Sequence, residues 1–241
     1  MNYNLVFIGN SHISQFDLQS AESLYNMSID SLEFPGASVK GLINFNSQTG
    51  LYQKIKCYDF SNKLAIFNLG QCDIEFGYYY KSVKSNNKLG INIFIDDVIE
   101  KYDSFLANIE YDFIVLAINP CVVDDIRHNF YVNWYDNVCH KENYINETGA
   151  LNHNMKFEDY LHIYNDDLKT RNNYHKLFND KLAEMCKLKN YKFINLYYEI
   201  TNKDIVLDEF KNNSLDHHLK KNIKLFDILF RKIQAFYETD I

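Results

Sequence analysis

The first clear run of apolar positions is Leu5-Val6-Phe7-Ile8, cut short by Gly9-Asn10-Ser11. Four consecutive apolar residues with a β-branched share read as a short buried strand, and the polar break after them reads as a helix start. Beyond it Ile13, Phe16, Leu18, Ala21, Leu24 and Tyr25 recur at roughly helical spacing, and Ile29 to Phe34 then looks extended up to Pro35-Gly36. Ala37 to Ile43 can begin a second helix, and Lys63 to Leu69 is a buried strand ended by Gly70. From Ile91 to Ile109 the residues Ile91, Ile95, Val98, Ile99, Tyr102, Phe105 and Leu106 fall on one helical face. Phe113 to Ile118 is a fourth strand stopped by Asn119-Pro120, and a helical pattern from Asp167 to Leu188 leads to a fifth near Lys192 to Leu196. Lys220 to Tyr237 closes the chain as an amphipathic helix. Between Cys121 and Asn165 the periodicity fails over a stretch longer than an ordinary connection, which predicts a lid or insertion.

Strands alternating with helices predict an α/β fold: a parallel sheet covered by helices on both faces, in one domain over 1–241. The expected strands are Leu5–Ile8, Ile29–Phe34, Ala65–Leu69, Phe113–Ile118 and Phe193–Leu196, in the order 2-1-3-4-5.

Composition narrows the function classes. The 241 residues are 46% hydrophobic and 24% charged, enough for a sizeable core, and the net charge of −7 with no long basic run argues against nucleic acid as a partner. The five cysteines (Cys57, Cys72, Cys121, Cys139 and Cys186) are scattered and contain no Cys-x-x-Cys, so neither a disulfide framework nor a cysteine zinc site is expected. No apolar run reaches the length of a membrane span and no export signal precedes the first strand, so the expected location is the cytoplasm. The 19 Tyr and 18 Phe are mostly core and rim residues. His128, His140, His153 and His162, with Asp124, Asp125 and Glu142, could suggest a metal, but no His-Glu-x-x-His or similar spacing exists; neither metal nor cofactor is expected.

Four polar breaks stand at strand ends or in the last connection: Gly9-Asn10-Ser11-His12, Pro35-Gly36-Ala37-Ser38, Gly70-Gln71-Cys72-Asp73 and Leu215-Asp216-His217-His218-Leu219. In a parallel sheet such ends share one edge, where ligands bind. The chemistry they spell is acyl transfer. Ser11 attacks a carbonyl, a histidine of the last loop takes its proton, Asp216 orients the ring, and backbone N–H groups at Ser11 and Gly36 hold the oxyanion.

With these four blocks in this order, the chain resembles the SGNH/GDSL hydrolase family. Gly9-Asn10-Ser11-His12 is similar to the Gly-Asp-Ser block, Gly36 fits the glycine block, Gly70-Gln71-Cys72-Asp73 falls where Gly-x-Asn-Asp is expected, and Asp216-His217-His218-Leu219 where Asp-x-x-His is expected. The resemblance implies a flavodoxin-like three-layer α/β/α sandwich and esterase, lipase or carbohydrate O-acyl chemistry. The Gly-Gln-x-Asp variant with a terminal Asp-His-His-Leu looks like SGNH-like proteins of bacterial surface-polysaccharide biosynthesis. Two departures matter. Cys72 stands where the family has an oxyanion-donating Asn, so that one strong donor is missing or Gln71 substitutes. The family acid lies three residues before the base, which is Leu215 for His218 and Ser214 for His217; Asp216 can still reach the His218 ring by a tighter turn.

Each residue also has a plainer reading. Ser11 can cap a helix, Gly36 and Gly70 can be turn glycines, Asp73 can cap the next segment, and His217-His218 can be surface residues before the last helix. His12 reads as a structural hydrogen-bonding residue. The leading function is a serine-dependent hydrolase of O-acyl, in particular O-acetyl, groups on carbohydrate. The alternatives are an O-acetyltransferase using the same Ser–His pair and a non-catalytic glycan-binding or scaffolding protein.

Overall fold

The structure, a computed structural model, describes residues 4–44, 47, 49–139, 164–212 and 216–238. Five parallel strands, β1 (Asn4–Gly9), β2 (Ile29–Glu33), β3 (Lys63–Asn68), β4 (Phe113–Leu116) and β5 (Lys192–Ile194), form a sheet in the order β2-β1-β3-β4-β5. This is the expected order. β1 pairs along its length with both β2 and β3, so its residues meet neighbours on two sides.

Strand residues alternate between two cores, as the pleat requires. Val6, Ile8, Ala65, Phe67 and Val115 face one cluster, which receives α2 (Leu51–Cys57), α3 (Tyr78–Lys84), α4 (Ile91–Leu106) and α6 (Leu168–Lys189). Leu5, Phe7, Leu64, Ile66, Ile114 and Leu116 face the other, covered by α1 (Leu18–Tyr25) and α8 (Ile223–Glu238). Three layers result. Another helix, α5 (Asp125–Cys139), follows β4, and the short α7 (Tyr197–Ile200) leads into a two-stranded hairpin, β6 (Thr201–Asn202) and β7 (Ile205–Val206). No helix among the described residues is long and apolar enough to cross a membrane.

The departures from expectation have local causes. The helix expected straight after Ser11 is a 3-10 turn, Ser11–Gln15, that ends at an extended Phe16; Asp17 then caps α1 by accepting from Ser20. Phe16 is extended because it bridges to Asn222 at the start of α8. The helix expected from Ala37 is also a 3-10 turn, Val39–Ile43, capped by Ser38. The fifth strand stops at Ile194 because the Asn195 side chain turns to accept from the Tyr197 N–H at 2.8 Å. After Gly70, a π-helical turn (Asp73–Gly77) runs into α3 with Ile74, Phe76, Tyr78, Tyr79, Tyr80 and Val83 all buried; burial on every side leaves no amphipathic period to read. The stretch from Cys121 is not aperiodic coil throughout, since α5 occupies its first part. There the buried face is carried by His128 and Val132 while Ile126 and Phe130 are exposed, which hides the helical pattern. The rest of the expected lid, 140–163, lies outside the described residues, and with it His140, Glu142, His153 and His162.

Candidate active site

Ser11 owes its position to the end of β1. Gly9 is the last strand residue, and a Cβ there would lie 2.2 Å from the Asn68 carbonyl oxygen of β3, so only glycine lets the two strand ends close up. Asn10 then caps the turn, its Oδ1 accepting from the His12 N–H at 3.0 Å, which puts Ser11 at the start of the turn, half-exposed on the sheet edge.

The loop carrying Asp216, His217 and His218 is pinned on both sides. The Lys220 N–H donates to the Phe210 carbonyl, and the Asn222 N–H donates to the Gln15 carbonyl, each at 2.9 Å, with Leu219 buried between them. The second bond ties the last loop to the turn that bears Ser11. Ser11 Oγ consequently lies 2.8 Å from His218 Nε2, and His218 Nδ1 lies 2.7 Å from Asp216 Oδ1, the same oxygen that accepts from the His218 backbone N–H at 2.9 Å. Asp216 thus reaches the ring from two residues away by a tight turn, where the family pattern uses three; Ser214 and Leu215 lie outside the described residues. In this arrangement a neutral imidazole donates from Nδ1 to the carboxylate and presents the Nε2 lone pair to the serine hydroxyl.

Burial pushes the Asp216 carboxyl up, but the hydrogen bonds it accepts from the backbone and ring N–H groups of His218 outweigh it, leaving Asp216 below its ordinary value. His217 is held neutral instead. Burial and repulsion by His218 lower it to about 3, and its Nδ1 has no hydrogen-bond partner among the described residues. Its ring packs 3.9 Å from that of His218 and 4.4 Å from Tyr131, with Phe76 at 5.4 Å.

His12 differs from the expected structural hydrogen-bonder. It is fully buried, neither ring nitrogen has a hydrogen-bond partner among the described residues, and its ring sits 4.7 Å from His218 and 5.2 Å from His217. Its neighbours there include the rings of His217 and His218. Burial, then the charges of His217, His218 and His175, lowers it well below the ordinary histidine range.

Gly36 sits in a turn at φ 74°, closed by the Ala37 N–H donating to the Phe34 carbonyl, and the Phe34 N–H in turn donates to the Gly9 carbonyl, both at 2.9 Å. Asp73 secures this loop from the far side: its buried Oδ2 accepts from the Val39 N–H at 2.7 Å. Burial nonetheless raises Asp73 to about 6. Gln71, the expected substitute for the missing oxyanion donor, has one amide N–H and its carbonyl engaged. Its Nε2 donates to Glu75 Oε2 at 2.8 Å and its Oε1 accepts from the Asn119 N–H at 2.9 Å. Cys72 is buried in the core cluster on the α4 side of the sheet.

Beneath the site runs a polar floor that sequence patterning missed. The Asn119 side chain donates to Gln15 Oε1 at 2.6 Å, the Asn119 carbonyl meets His175 Nδ1 at 2.6 Å, and Asn172 Oδ1 accepts from the Cys121 N–H at 2.7 Å. Apart from Gln15, at the end of the Ser11 turn, these residues come from α6 and from the loop after β4. Their only signal in the sequence is polar residues on the buried face of an otherwise regular helix: Arg171, Asn172, His175 and Asn179.

Cavities among the described residues include two of note. One of about 610 Å³ opens against Asp216 and is lined by Cys121, Asn172, Lys203, Asp204 and Asn212 among others. A larger one of about 1350 Å³ lies around Tyr58, Phe60, Lys63 and Tyr111, at the strand ends opposite Ser11.

The chain superposes over nearly its whole length on solved structures. A GDSL-like lipase from Bacteroides thetaiotaomicron aligns with a TM-score of 0.54 at 11% identity, over 99% of this chain and 89% of that one. The chain has the SGNH/GDSL hydrolase fold. A candidate acylhydrolase from Bacteroides fragilis gives 0.54 at 11% identity, over 98% and 87% of the two chains. A candidate lipolytic protein of the G-D-S-L family from Desulfitobacterium hafniense gives 0.51 at 11%, over 97% and 99%. No family model and no curated protein sequence matches. At this identity the likeness carries the fold, and the chemistry has to be argued from the site itself.

Proposed function

We propose that the protein is a serine-dependent acyl ester hydrolase acting on O-acylated carbohydrate, with O-acetyl as the preferred group, through an acyl-enzyme. The observation that carries this is the run Ser11 Oγ, His218 Nε2, His218 Nδ1, Asp216 Oδ1, joined by contacts of 2.8 and 2.7 Å on the ligand-binding edge of an SGNH/GDSL fold.

In this reading Ser11 Oγ attacks the ester carbonyl carbon while its proton passes to His218 Nε2. Asp216 stabilises the imidazolium that forms. The backbone N–H groups of Ser11 and Gly36 hold the developing oxyanion. His218 then returns the proton to the leaving sugar oxygen, and a water, deprotonated by the same nitrogen, attacks the acyl carbon and frees Ser11. The cavity against Asp216, with lysine and amide groups in its wall, is of a size to take a sugar unit. Tyr131, half-exposed beside His217, offers a ring face for a sugar to stack on.

A fluorophosphonate probe tests the nucleophile. Covalent labelling of the native protein, absent in Ser11→Ala and strongly slowed in His218→Ala, is expected; a native protein that stays unlabelled overturns the enzyme reading in favour of a glycan-binding role. Acetate release from O-acetylated sugars against simple aryl and long-chain esters tests the substrate class, and a preference for long acyl chains would overturn the carbohydrate assignment.

A further inference from the structure

The geometry points to a second use of the same loop: His12, His217 and His218 form a binding site for a divalent transition metal of the zinc class, and occupation of that site takes His218 away from Ser11.

Three imidazoles are the ligand set that zinc favours when a coordination position is left for a further ligand. Each of these histidines can offer one ring nitrogen, and the three nitrogens lie within 4.8 Å of one another. Ligand nitrogens around a tetrahedral zinc stand roughly 3.3 Å apart at Zn–N distances of about 2.0–2.1 Å, so small ring rotations close the site. His12 is uncommitted, and the Asp216 carboxylate stands 4.0 Å from His217 Nδ1, beyond hydrogen-bonding distance. Neither nitrogen of the fully buried His12 has a hydrogen-bond partner among the described residues, and neither does His217 Nδ1. His12 packs against both His217 and His218, and His217 against His218, so the three rings are gathered at one place.

His218 is different, because both of its nitrogens are engaged. Nδ1 is held by Asp216, the carboxylate support that metal-bound imidazoles commonly have, which leaves Nε2 for the metal. That nitrogen is the one in contact with Ser11 Oγ. Metal binding and the Ser11–His218 contact are therefore mutually exclusive, and zinc acts as a reversible brake on Ser11. The metal site itself stands independently of the acyl hydrolase reading; only the brake rests on it.

The test uses the full chain stripped with EDTA and desalted, titrated with Zn²⁺ in competition with a fluorescent zinc indicator, and with Co²⁺ read by visible absorption. One Zn²⁺ per chain and a tetrahedral Co²⁺ spectrum are expected. His217→Gln and His12→Gln should each weaken Zn²⁺ by at least about 10-fold, the smaller of the losses seen even for groups that merely support a ligand. His217→Gln keeps the test decisive should the buried His12 variant not fold. Zn²⁺ should also block fluorophosphonate labelling of Ser11, with EDTA restoring it. Failure to bind one Zn²⁺ per chain overturns the proposal. So does binding that neither histidine variant weakens, which would mark an adventitious metal only. If zinc binds through the histidines but Ser11 is never labelled with or without metal, the site stands and the acyl hydrolase reading falls.

Discussion

Ser11 and His218 are 207 positions apart in the chain, yet the contact between them is what gives the serine a base. Because a nucleophile and its base act as one unit, their losses should not add. Ser11→Ala, His218→Ala and the double variant are expected to lower kcat/KM for an aryl acetate equally, by about 10⁴–10⁶, with Asp216→Ala roughly 10–100-fold milder than either. A double variant clearly worse than both single ones would mean that each residue works alone. At this scale the sequence was legible where chemistry is carried by residue type, as at Ser11, Asp216 and His218. It was not legible where the role depends on neighbours: Gln71 looks like a wholly free amide until its Oε1 is seen to accept from the Asn119 N–H and one of its N–H groups to donate to Glu75. His12 looks like an ordinary polar residue until both its ring nitrogens are seen to be buried without a hydrogen-bond partner among the described residues.

Among the elements, the close approach of β1 and β3 is the contact the site depends on. Gly9→Ala would drive a methyl into the Asn68 carbonyl at 2.2 Å, and strand backbone cannot yield as a flexible side chain can. A loss of about 1–3 kcal/mol in urea unfolding is expected, together with a fall in kcat as Ser11 shifts. The π-helical turn after Gly70 carries another cost. Burial raises the Glu75 carboxyl to about 7, against the opposing bonds from Gln71 and Cys121, so the folded state favours its protonated form. A pKa raised on folding contributes stability that is complete below the unfolded value, near pH 4.5, and is lost as pH rises through about 7. At about 1.4 kcal/mol per unit the loss is on the order of 3 kcal/mol by pH 8. Glu75→Gln should therefore melt higher than the parent above pH 7 and converge with it near pH 4.5. Asp73, raised to about 6, keeps a residual slope of the same sign at lower pH. An unchanged difference in Tm across this range would mean that Glu75 does not titrate with folding. Elements with one apolar face, such as α4 and α8, could be read from the sequence nearly to their ends, whereas α3, buried all round, and α5, buried through a histidine, could not.

For the molecule as a whole, the strand order followed from the β-α alternation and the gathering of the site from the polar breaks at strand ends, because both rest on connectivity rules that any such sheet obeys. The two halves of the site nevertheless rest on supports of unequal strength. Ser11 extends from β1, which is paired on both sides and whose Leu5 to Ile8 have no exposed surface. Asp216 and His218 sit in a loop held, among the described residues, by a bridge between Lys211 and Leu219, by backbone bonds to Phe210 and Gln15, and by the Asn212 side chain donating to Asp216. Next to it in the chain lies the two-residue β6-β7 hairpin, where Ile205 is exposed. Local opening is cheap where few buried contacts must break. Native-state hydrogen exchange should accordingly show amides of 5–8 and 64–67 opening only with global unfolding, while those of 201–206 and 216–219 open earlier through local fluctuation. A phosphonate adduct on Ser11, which gives His218 a fixed partner, should slow exchange at 216–219 and leave 201–206 unchanged. If 216–219 were instead protected as strongly as β1 in the unlabelled protein, the last loop would be part of the rigid sheet edge. The base would then be preorganised to the same degree as the nucleophile, and a metal could not draw His218 away from Ser11.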